Sequence, residues 1–249
     1  MKTILNVKNL CKNFGETQVL NNIDFKVNEG EFVAIMGQSG SGKSTMLYSI
    51  SGMDRPTSGN VFLSGEDISK VDEEKLSSIR LNRMGFIFQH SYLLKNLSIR
   101  DNIVLPGFKS GKHSREEVNK NAEAIMKKTG IISVADHDIK KVSGGQLQRA
   151  AICRALINHP DILFGDEPTG SLNSSTTKEV MDTINSINRE GTTVIIVTHD
   201  AKVAARASRV IFIMDGSIND ELILGKYNGN EDNSLRDKKL TQWLDKQGF

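Results

Sequence analysis

The sequence predicts an α/β fold with a mostly parallel core sheet, an N-terminal antiparallel β subdomain and an inserted α-helical lobe. Three observations support this prediction. Apolar strand-like runs alternate with helix-like segments along most of the chain. A glycine-rich segment joins one such run to the next helix, and residues 98–158 interrupt the alternation with helical periodicity. A length of 249 residues suits one domain of this kind with a small added lobe.

Composition excludes several classes of protein. The chain has 32 basic and 30 acidic residues, and a net charge of +2 gives no sign of nucleic-acid binding. Cys11 and Cys153 have no metal or redox spacing, so we interpret both as packing residues. The first residues turn polar too early for a secretory signal, and no window approaches 18 uninterrupted apolar residues. We therefore expect no membrane crossing, and any membrane role has to come through a partner.

The N-terminal part is expected to be antiparallel, because short β-prone stretches alternate with turn signals. The β-prone stretches are residues 4–7, 19–20, 23–27 and 32–35, and the turn signals are Asn13, Gly15, Asn21-Asn22 and residues 28–30. Phe14 lies on one of these turns. Its ring either joins the core, which is the commoner outcome for an aromatic residue, or stacks on a purine.

The glycine-rich segment has the G-x-x-x-x-G-K-[ST] pattern of a phosphate loop, between an apolar strand and a helix. Its residues are Gly37, Gln38, Ser39, Gly40, Ser41, Gly42, Lys43, Ser44 and Thr45. Backbone N–H groups of such a loop converge on phosphate oxygens, and the helix start adds its positive dipole end. Lys43 is expected to reach the β- and γ-phosphates, and Ser44 to ligate Mg²⁺. The alternative is that these residues form a turn that only joins the strand to the helix and binds no phosphate. The flanking strand and helix favour the phosphate loop, and we expect the fold of a phosphate-loop NTPase.

Beyond the loop helix, the pattern predicts a strand at 60–63, a helix at 72–82 and a buried strand at 84–89 that ends on Gln89. A polar amide at the carboxyl end of such a strand is where α/β sheets present ligand contacts. Gln89 is therefore a candidate to sense Mg²⁺ or water, and otherwise an exposed residue that begins a loop. Residues 109–115 predict a solvated basic loop within the helical lobe.

A second candidate anion site opens the helix that follows residue 142. Ser143 is a good N-cap, and Gly144, Gly145 and Gln146 begin the helix with exposed N–H groups. One Lys-bearing loop and two anion-binding helix starts suggest that the second holds the γ-phosphate of a nucleotide bound by another copy. The alternative is a capped helix whose glycines allow close packing.

Two further strand ends carry candidate catalytic groups. Residues 161–167 form an apolar strand that ends in Asp166, a candidate Mg²⁺ ligand, and Glu167, a candidate base for the attacking water. A buried strand at 192–198 ends before His199, which is placed for the γ-phosphate. Paired acids often only cap helices, and a lone histidine is usually structural. Three strand ends that converge on one loop favour the functional interpretation.

The residues after position 170 predict a helix, a hairpin, a polar linker and a C-terminal tail. Residues 171–174 open a helix that Gly191 closes, residues 209–217 begin a closing hairpin, and residues 226–233 form a polar linker. The tail, residues 234–249, has apolar residues at partly helical spacing. It either packs back on its own domain or binds a partner. We therefore expect an ATPase domain at 1–224 and a linker with a short helical extension at 225–249.

In their order, these motifs resemble the ATP-binding subunit of an ABC transporter over residues 3–224. The loop resembles Walker A, Gln89 the Q-loop glutamine, residues 143–146 the signature, and Asp166 with Glu167 Walker B plus the catalytic base. Residues 171–173 resemble the D-loop and His199 the switch histidine. Phe14 stands where a tyrosine often stacks on adenine, and Asn173 replaces the usual D-loop aspartate, which removes a charge at the dimer interface that the resemblance implies.

The resemblance implies ATP and Mg²⁺ as cofactors, a nucleotide-sandwich dimer, and a separate membrane permease at the cytoplasmic side of the cell membrane. Water would attack the γ-phosphate in line, with charge stabilised by Lys43, Mg²⁺, His199 and the opposing Ser143. Several short motifs are similar to the macrolide-exporter and lipoprotein-release branch, which includes antimicrobial-peptide resistance ATPases. They are Phe88-Gln89, Leu93-Leu94, Leu97-Ser98 and residues 102–106 and 165–170. This favours export, extraction or resistance to peptide- or lipid-like compounds. The alternatives are an ABC-type ATPase of DNA repair, translation or cofactor assembly, a permease-coupled ATPase that regulates cell-envelope processes, and a signalling module that binds ATP without turnover.

Overall fold

The computed structural model describes residues 2–229 and 233–249 and contains two sheets and several helices. The strands are β1 Thr3–Phe14, β2 Thr17–Asn28, β3 Phe32–Gly37, β4 Ser58–Leu63, β5 Glu66–Asp67, β6 Met84–Phe88, β7 Ile162–Asp166, β8 Thr193–Val197, β9 Arg209–Met214 and β10 Ser217–Ile223. The helices are α1 Lys43–Ile50, α2 Glu73–Arg83, α3 Ile99–Ser110, α4 Arg115–Lys128, α5 Gly144–Leu156, α6 Ser174–Arg189, α7 Ala201–Ala204 and α8 Asn233–Lys246. None of the helices in the described ranges is long and apolar enough to span a membrane.

The sheet topology confirms the predicted fold class. The core sheet has the order β10-β9-β3-β8-β7-β6, and all its pairs are parallel except the β9–β10 hairpin. The smaller sheet, β2-β1-β4-β5, is antiparallel throughout. Because the core strands run in the same direction, β3, β6, β7 and β8 all end at one edge of the sheet. The predicted site residues follow these four strand ends.

Side chains of β3 and β8 alternate between two hydrophobic cores, which is why both strands are buried on both faces. Val33, Ile35 and Ile195 pack with α1 and the antiparallel sheet on one face. Ala34 and Ile196 pack with α6, α7 and α8 on the other face. The core sheet is therefore held rigidly from both sides, which fixes the positions of the strand ends.

The helical lobe has a core of its own, made by α3, α4 and α5. Ser98 and Ser114 begin α3 and α4 with capping boxes, each serine accepting from a backbone N–H three residues on. Gly107 allows close packing, since a Cβ there would lie 2.6 Å from Val118 Cγ1. The predicted basic loop is shorter than expected, because α3 continues to Ser110 and α4 begins at Arg115.

One predicted turn is wrong. Asn21 and Asn22 lie inside β2, between the pairs that Leu20 forms with Lys12 and Ile23 with Leu10 of β1. Asn22 has φ +54°, Asn9 on β1 has φ +47°, and the register between the two strands shifts several times. Asparagine tolerates this left-handed conformation, so the two residues form irregularities inside long strands instead of ending them.

The C-terminal segment docks back on the domain, which was one of the two alternatives for it. Leu240 and Leu244 of α8 are buried against the core sheet. Arg236 is 4% exposed and donates to the carbonyls of Ala205 and Ala207. Part of the predicted linker, residues 230–232, lies outside the described residues.

Cys153 serves packing, as the sequence predicts, whereas Cys11 is only partly buried. Cys153 is fully buried in the core of the helical lobe, where its sulfur lies 3.0 Å from the Thr129 hydroxyl. Cys11 accepts a hydrogen bond from the backbone N–H of Asn22 at 3.3 Å. The two residues lie in different parts of the fold, and both are free thiols.

Candidate active site

The loop between β3 and α1 has the backbone of a phosphate cradle. Gly37 ends the strand, and a Cβ on it would lie 2.1 Å from the carbonyl oxygen of Ile213 on the neighbouring strand. Gly40 and Gly42 have φ of +79° and +98°, a conformation that glycine adopts without steric cost. Lys43 is then the first residue of α1. The glycines allow the sharp entry into the helix, and the helix start faces the loop.

Two side chains of this loop fit a phosphate ligand. The hydroxyl of Ser41 is buried and has no hydrogen-bond partner among the described residues. Lys43 Nζ donates to the carbonyls of Gly37 at 3.0 Å and Gln38 at 2.7 Å, which holds the ammonium over the loop. Burial lowers the pKa of Lys43, and the carboxylates of Glu167 and Asp166 oppose that shift. The ammonium and the two acids therefore share one site.

Asp166 ends β7 beside the loop helix, and both of its carboxylate oxygens accept hydrogen bonds from α1. Ser44 Oγ donates to Oδ1 at 2.9 Å, and the Tyr48 hydroxyl donates to Oδ2 at 2.6 Å. Serine and carboxylate oxygens are hard ligands of the kind that Mg²⁺ prefers, so the donor set fits this ion. No group of three His, Cys, Asp or Glu side chains within residues 2–229 and 233–249 makes a complete metal cage.

Tyr48 is a site residue that sequence reasoning missed. It stands four residues after Ser44, so the two side chains share one face of α1. The i, i+4 spacing of Ser44 and Tyr48 is visible in the sequence, but nothing in the sequence indicates that this face of α1 turns toward the end of β7. Burial raises the pKa of Tyr48, and the hydrogen bond to Asp166 raises it further. The phenol therefore stays protonated at neutral pH and donates a hydrogen bond to Asp166.

Glu167 and His199 form a pair at two neighbouring strand ends. His199 Nδ1 lies 2.9 Å from Glu167 Oε1. An ionised carboxylate can only accept, so Nδ1 carries the proton of this hydrogen bond. Glu167 has φ +48°, an unfavourable conformation for a residue with a Cβ, and its backbone N–H is held by the carbonyl of Val197 at 3.0 Å. The strained turn aims the carboxylate toward the histidine.

Gln89 follows β6 and is exposed, and its side chain lies against Gly170, where a Cβ would come within 3.1 Å of Nε2. A second glutamine, Gln148 of α5, was not predicted to have a role. It is 3% exposed, and its amide donates to the carbonyls of Phe88 at 2.8 Å and Pro168 at 2.7 Å. Gln148 thereby ties α5 to the backbone on either side of the candidate catalytic residues.

The start of α5 lies beside α6 instead of beside the phosphate loop of the same chain. Ser143 caps the helix as predicted, accepting from the N–H of Gln146 at 3.3 Å, while Gln146 Oε1 accepts from the N–H of Ser143 at 2.8 Å. A Cβ on Gly145 would lie 2.4 Å from Thr176 Cγ2, so close packing explains this glycine. Gly144 is exposed, and a Cβ there would meet only Leu172 at 3.7 Å.

Phe14, at the end of β1, is 53% exposed, so the core alternative for its ring is wrong. Lys12 Nζ lies 4.8 Å from the ring centroid in a cation–π contact. Asn173 is the N-cap of α6, and its side chain accepts from the N–H of Thr176 at 3.0 Å. Asparagine caps a helix as well as aspartate does, so the replacement preserves the local fold.

The sequence pattern of the ABC transporter family matches residues 20–170, a span that holds the phosphate loop, Gln89, the start of α5 and Asp166. The chain belongs to the ABC transporter family. It is 40% identical to the lipoprotein-releasing system ATP-binding protein LolD of Aquifex aeolicus over 222 residues, which are 89% of this chain and 99% of LolD. This ABC transporter chain is an ATP-binding and ATP-hydrolysing subunit.

Other relatives agree with this assignment. The chain is 41% identical over 212 residues to the macrolide export ATP-binding/permease protein MacB of Campylobacter jejuni, covering 85% of this chain and 33% of MacB. It therefore spans about a third of MacB and almost all of LolD. Its fold matches the dimeric bacterial ABC transporter cassette MJ0796 with a TM-score of 0.81 and 40% identity, over 89% of this chain and 99% of that one. A second structure of MJ0796, with the same TM-score, holds ADP and Pi after hydrolysis and is also a dimer.

Proposed function

We propose that two copies of this chain enclose two ATP molecules, each copy offering its phosphate loop to one nucleotide and the start of its α5 to the other. The observation that carries the proposal is the separation of these two anion-binding features within one chain. The start of α5 packs beside Thr176 and Leu172, and Ser143 and Gly144 are exposed. The exposed residues Ser143 and Gly144 leave this helix start accessible, so a second copy can present a nucleotide to it. The dimeric state of MJ0796 supports this arrangement.

Within each site, we assign the steps of hydrolysis to the side chains at the four strand ends. Lys43 binds the β- and γ-phosphates, and Phe14 stacks on the base. Glu167 takes a proton from the attacking water, and His199, hydrogen-bonded to Glu167, contacts the γ-phosphate. Ser44 and Asp166 would hold Mg²⁺, with Gln89 nearby, and the ion would neutralise charge on the phosphates. The remaining loop N–H groups bind the phosphate oxygens.

A membrane permease is the partner that we propose for the groove between the core sheet and the helical lobe. The groove has a volume of about 360 Å³ and is lined by Phe86, Phe88, Pro106 and Arg154 among others. Arg154 donates to the carbonyls of Ser91 and Tyr92, which fixes the segment after Gln89 beside it.

Exposed apolar side chains lie in the lining of this groove or next to it. Met53, 41% exposed, lines the groove, Tyr92, 65% exposed, packs edge-on against Phe88 of the lining, and Leu105, 44% exposed, precedes Pro106. Exposed apolar residues grouped in this way are typical of a protein contact. The relatives LolD and MacB support an export or extraction function for the permease. A role in resistance to antimicrobial peptides stays a prediction. The boundary between an ATPase domain at 1–224 and an extension at 225–249 also stays a prediction, as does a location at the cytoplasmic face of the membrane.

The shared-site dimer can be tested by its mass in solution. Glu167→Gln removes the assigned base, so MgATP should hold this variant as a dimer in light scattering. Adding Ser143→Arg should leave a monomer, because the new side chain blocks the accessible helix start. Ser114→Arg is the matched control, since Ser114 caps α4 with the same type of capping box on the helical lobe. If the Ser143→Arg protein still dimerises on MgATP, the proposal is wrong.

A further inference from the structure

Asp166 is held from both sides by a single helix. Ser44 reaches Oδ1 and Tyr48 reaches Oδ2, so each carboxylate oxygen has one donor and the plane of the carboxylate is set. A hydrogen bond of 2.6 Å to an ionised acceptor belongs to the strong, charge-assisted class. Without the phenol, Asp166 could rotate about its χ angles, with one oxygen tethered by Ser44.

Tyr48 is itself well anchored. Its ring is partly buried and packs against the core between α1 and the antiparallel sheet. Its carbonyl accepts from the N–H groups of Met53 at 2.9 Å and Asp54 at 3.1 Å, which closes the end of α1. Ring and backbone are therefore fixed by neighbours outside the nucleotide site, and the hydroxyl is presented at a defined position.

We propose that Tyr48 is a positioning residue, which holds Oδ2 of Asp166 so that Oδ1 is presented beside Ser44 for a divalent cation bound with the nucleotide. The inference rests on the proposed role of Asp166 as a Mg²⁺ ligand. Tyr48 does not contact the nucleotide in this account and acts only through Asp166. Its hydroxyl raises the affinity of the site for the cation because the ligand geometry is set before the ion arrives.

The test is the affinity for Mn²⁺, measured by electron paramagnetic resonance on the full chain saturated with a non-hydrolysable ATP analogue. Tyr48→Phe keeps the ring and removes the hydroxyl. Loss of a hydrogen bond to a charged group predicts about tenfold weaker Mn²⁺ binding. Nucleotide affinity in EDTA should stay at the wild-type value, which also verifies that the variant is folded. Tyr227→Phe is the matched control, because that ring packs on Arg206 and Arg236 outside the site.

Asp166→Asn separates this inference from the proposed function. Wild-type Mn²⁺ affinity in that variant would show that Asp166 is not a metal ligand. Both the proposed role of Asp166 and the proposed role of Tyr48 would then be wrong. Weak Mn²⁺ binding in Asp166→Asn together with wild-type affinity in Tyr48→Phe would overturn only the role of Tyr48. In the double variant, Tyr48→Phe should cause no further loss, since Tyr48 acts through Asp166. A further loss of similar size in the double variant would show that Tyr48 acts independently and would overturn the inference.

Discussion

The two glycines at the start of α5 should respond in opposite ways to the same substitution. Replacing a glycine within a helix by alanine stabilises a protein by about 0.5–1 kcal/mol where there is room for the methyl group. At Gly144 there is room, since the nearest heavy atom to a new Cβ is Leu172 Cδ2 at 3.7 Å. At Gly145 a Cβ would stand 2.4 Å from Thr176 Cγ2, inside van der Waals contact.

Overpacking of this kind costs about 1–3 kcal/mol, which exceeds the gain in helix propensity. We therefore expect Gly145→Ala to lower the melting temperature by a few degrees, because about 1 kcal/mol corresponds to about 2–4 °C for a chain of this size. Adding Thr176→Ser removes the clashing methyl group and should restore the melting temperature. Thermal unfolding followed by circular dichroism measures both effects.

Gly144→Ala should keep or raise the melting temperature and yet lose ATPase activity, because its methyl group would project where the partner's nucleotide approaches. Unchanged ATPase activity in Gly144→Ala would refute the close approach of a phosphate to this position. An undisturbed melting temperature in Gly145→Ala would refute the packing explanation for Gly145. The two variants therefore distinguish a glycine required for nucleotide approach, Gly144, from a glycine required for packing, Gly145.

The remaining predictions concern single side chains. Lys43→Ala should lose ATP affinity in equilibrium binding, because the loop's ammonium is gone, and undiminished affinity would contradict the phosphate assignment. Glu167→Gln should bind ATP but hydrolyse it about 100- to 10,000-fold more slowly, the usual contribution of a general base; normal turnover would exclude Glu167 as that base. Burial raises the pKa of Cys153 to about 12, so its thiol should react with a thiol reagent at pH 8 only on unfolding, whereas Cys11 should react first. Equal rates in the native protein would contradict the burial of Cys153.

Much of the geometry of the candidate active site was predictable because its residues follow the ends of parallel strands. Gly37, Asp166 and His199 come directly after or at the end of apolar runs, and the register of β3, β7 and β8 brings them to one edge. The pattern of strands and helices also predicted where α5 begins, since Ser143 is a strong cap. The fold class followed from the same alternation.

What sequence reasoning missed depends on contacts between elements that lie far apart in the chain. Tyr48 meets Asp166 only because α1 packs across the end of β7, and no local pattern encodes that crossing. The close packing at Gly145 is set by α6, through Thr176. Asn21 and Asn22 look like a turn, and Asn22 does adopt the left-handed conformation that asparagine tolerates. It produces an irregularity inside β2 and not a chain reversal, because pairing with β1 continues on both sides of the two residues.

Gln148 shows how the helical lobe is tied to the catalytic strands. Its two amide protons are both used, by the carbonyl of Phe88, directly before Gln89, and by that of Pro168, directly after Glu167. The side chain is almost fully buried, so breaking one of these hydrogen bonds without a replacement would destabilise the protein by about 1–3 kcal/mol. A movement of α5 relative to the core sheet therefore has to carry these two backbone segments with it or break two buried hydrogen bonds. Because α5 also begins with Ser143, a nucleotide bound at that helix start in the proposed dimer would act on the same helix that holds the backbone beside Gln89 and Glu167.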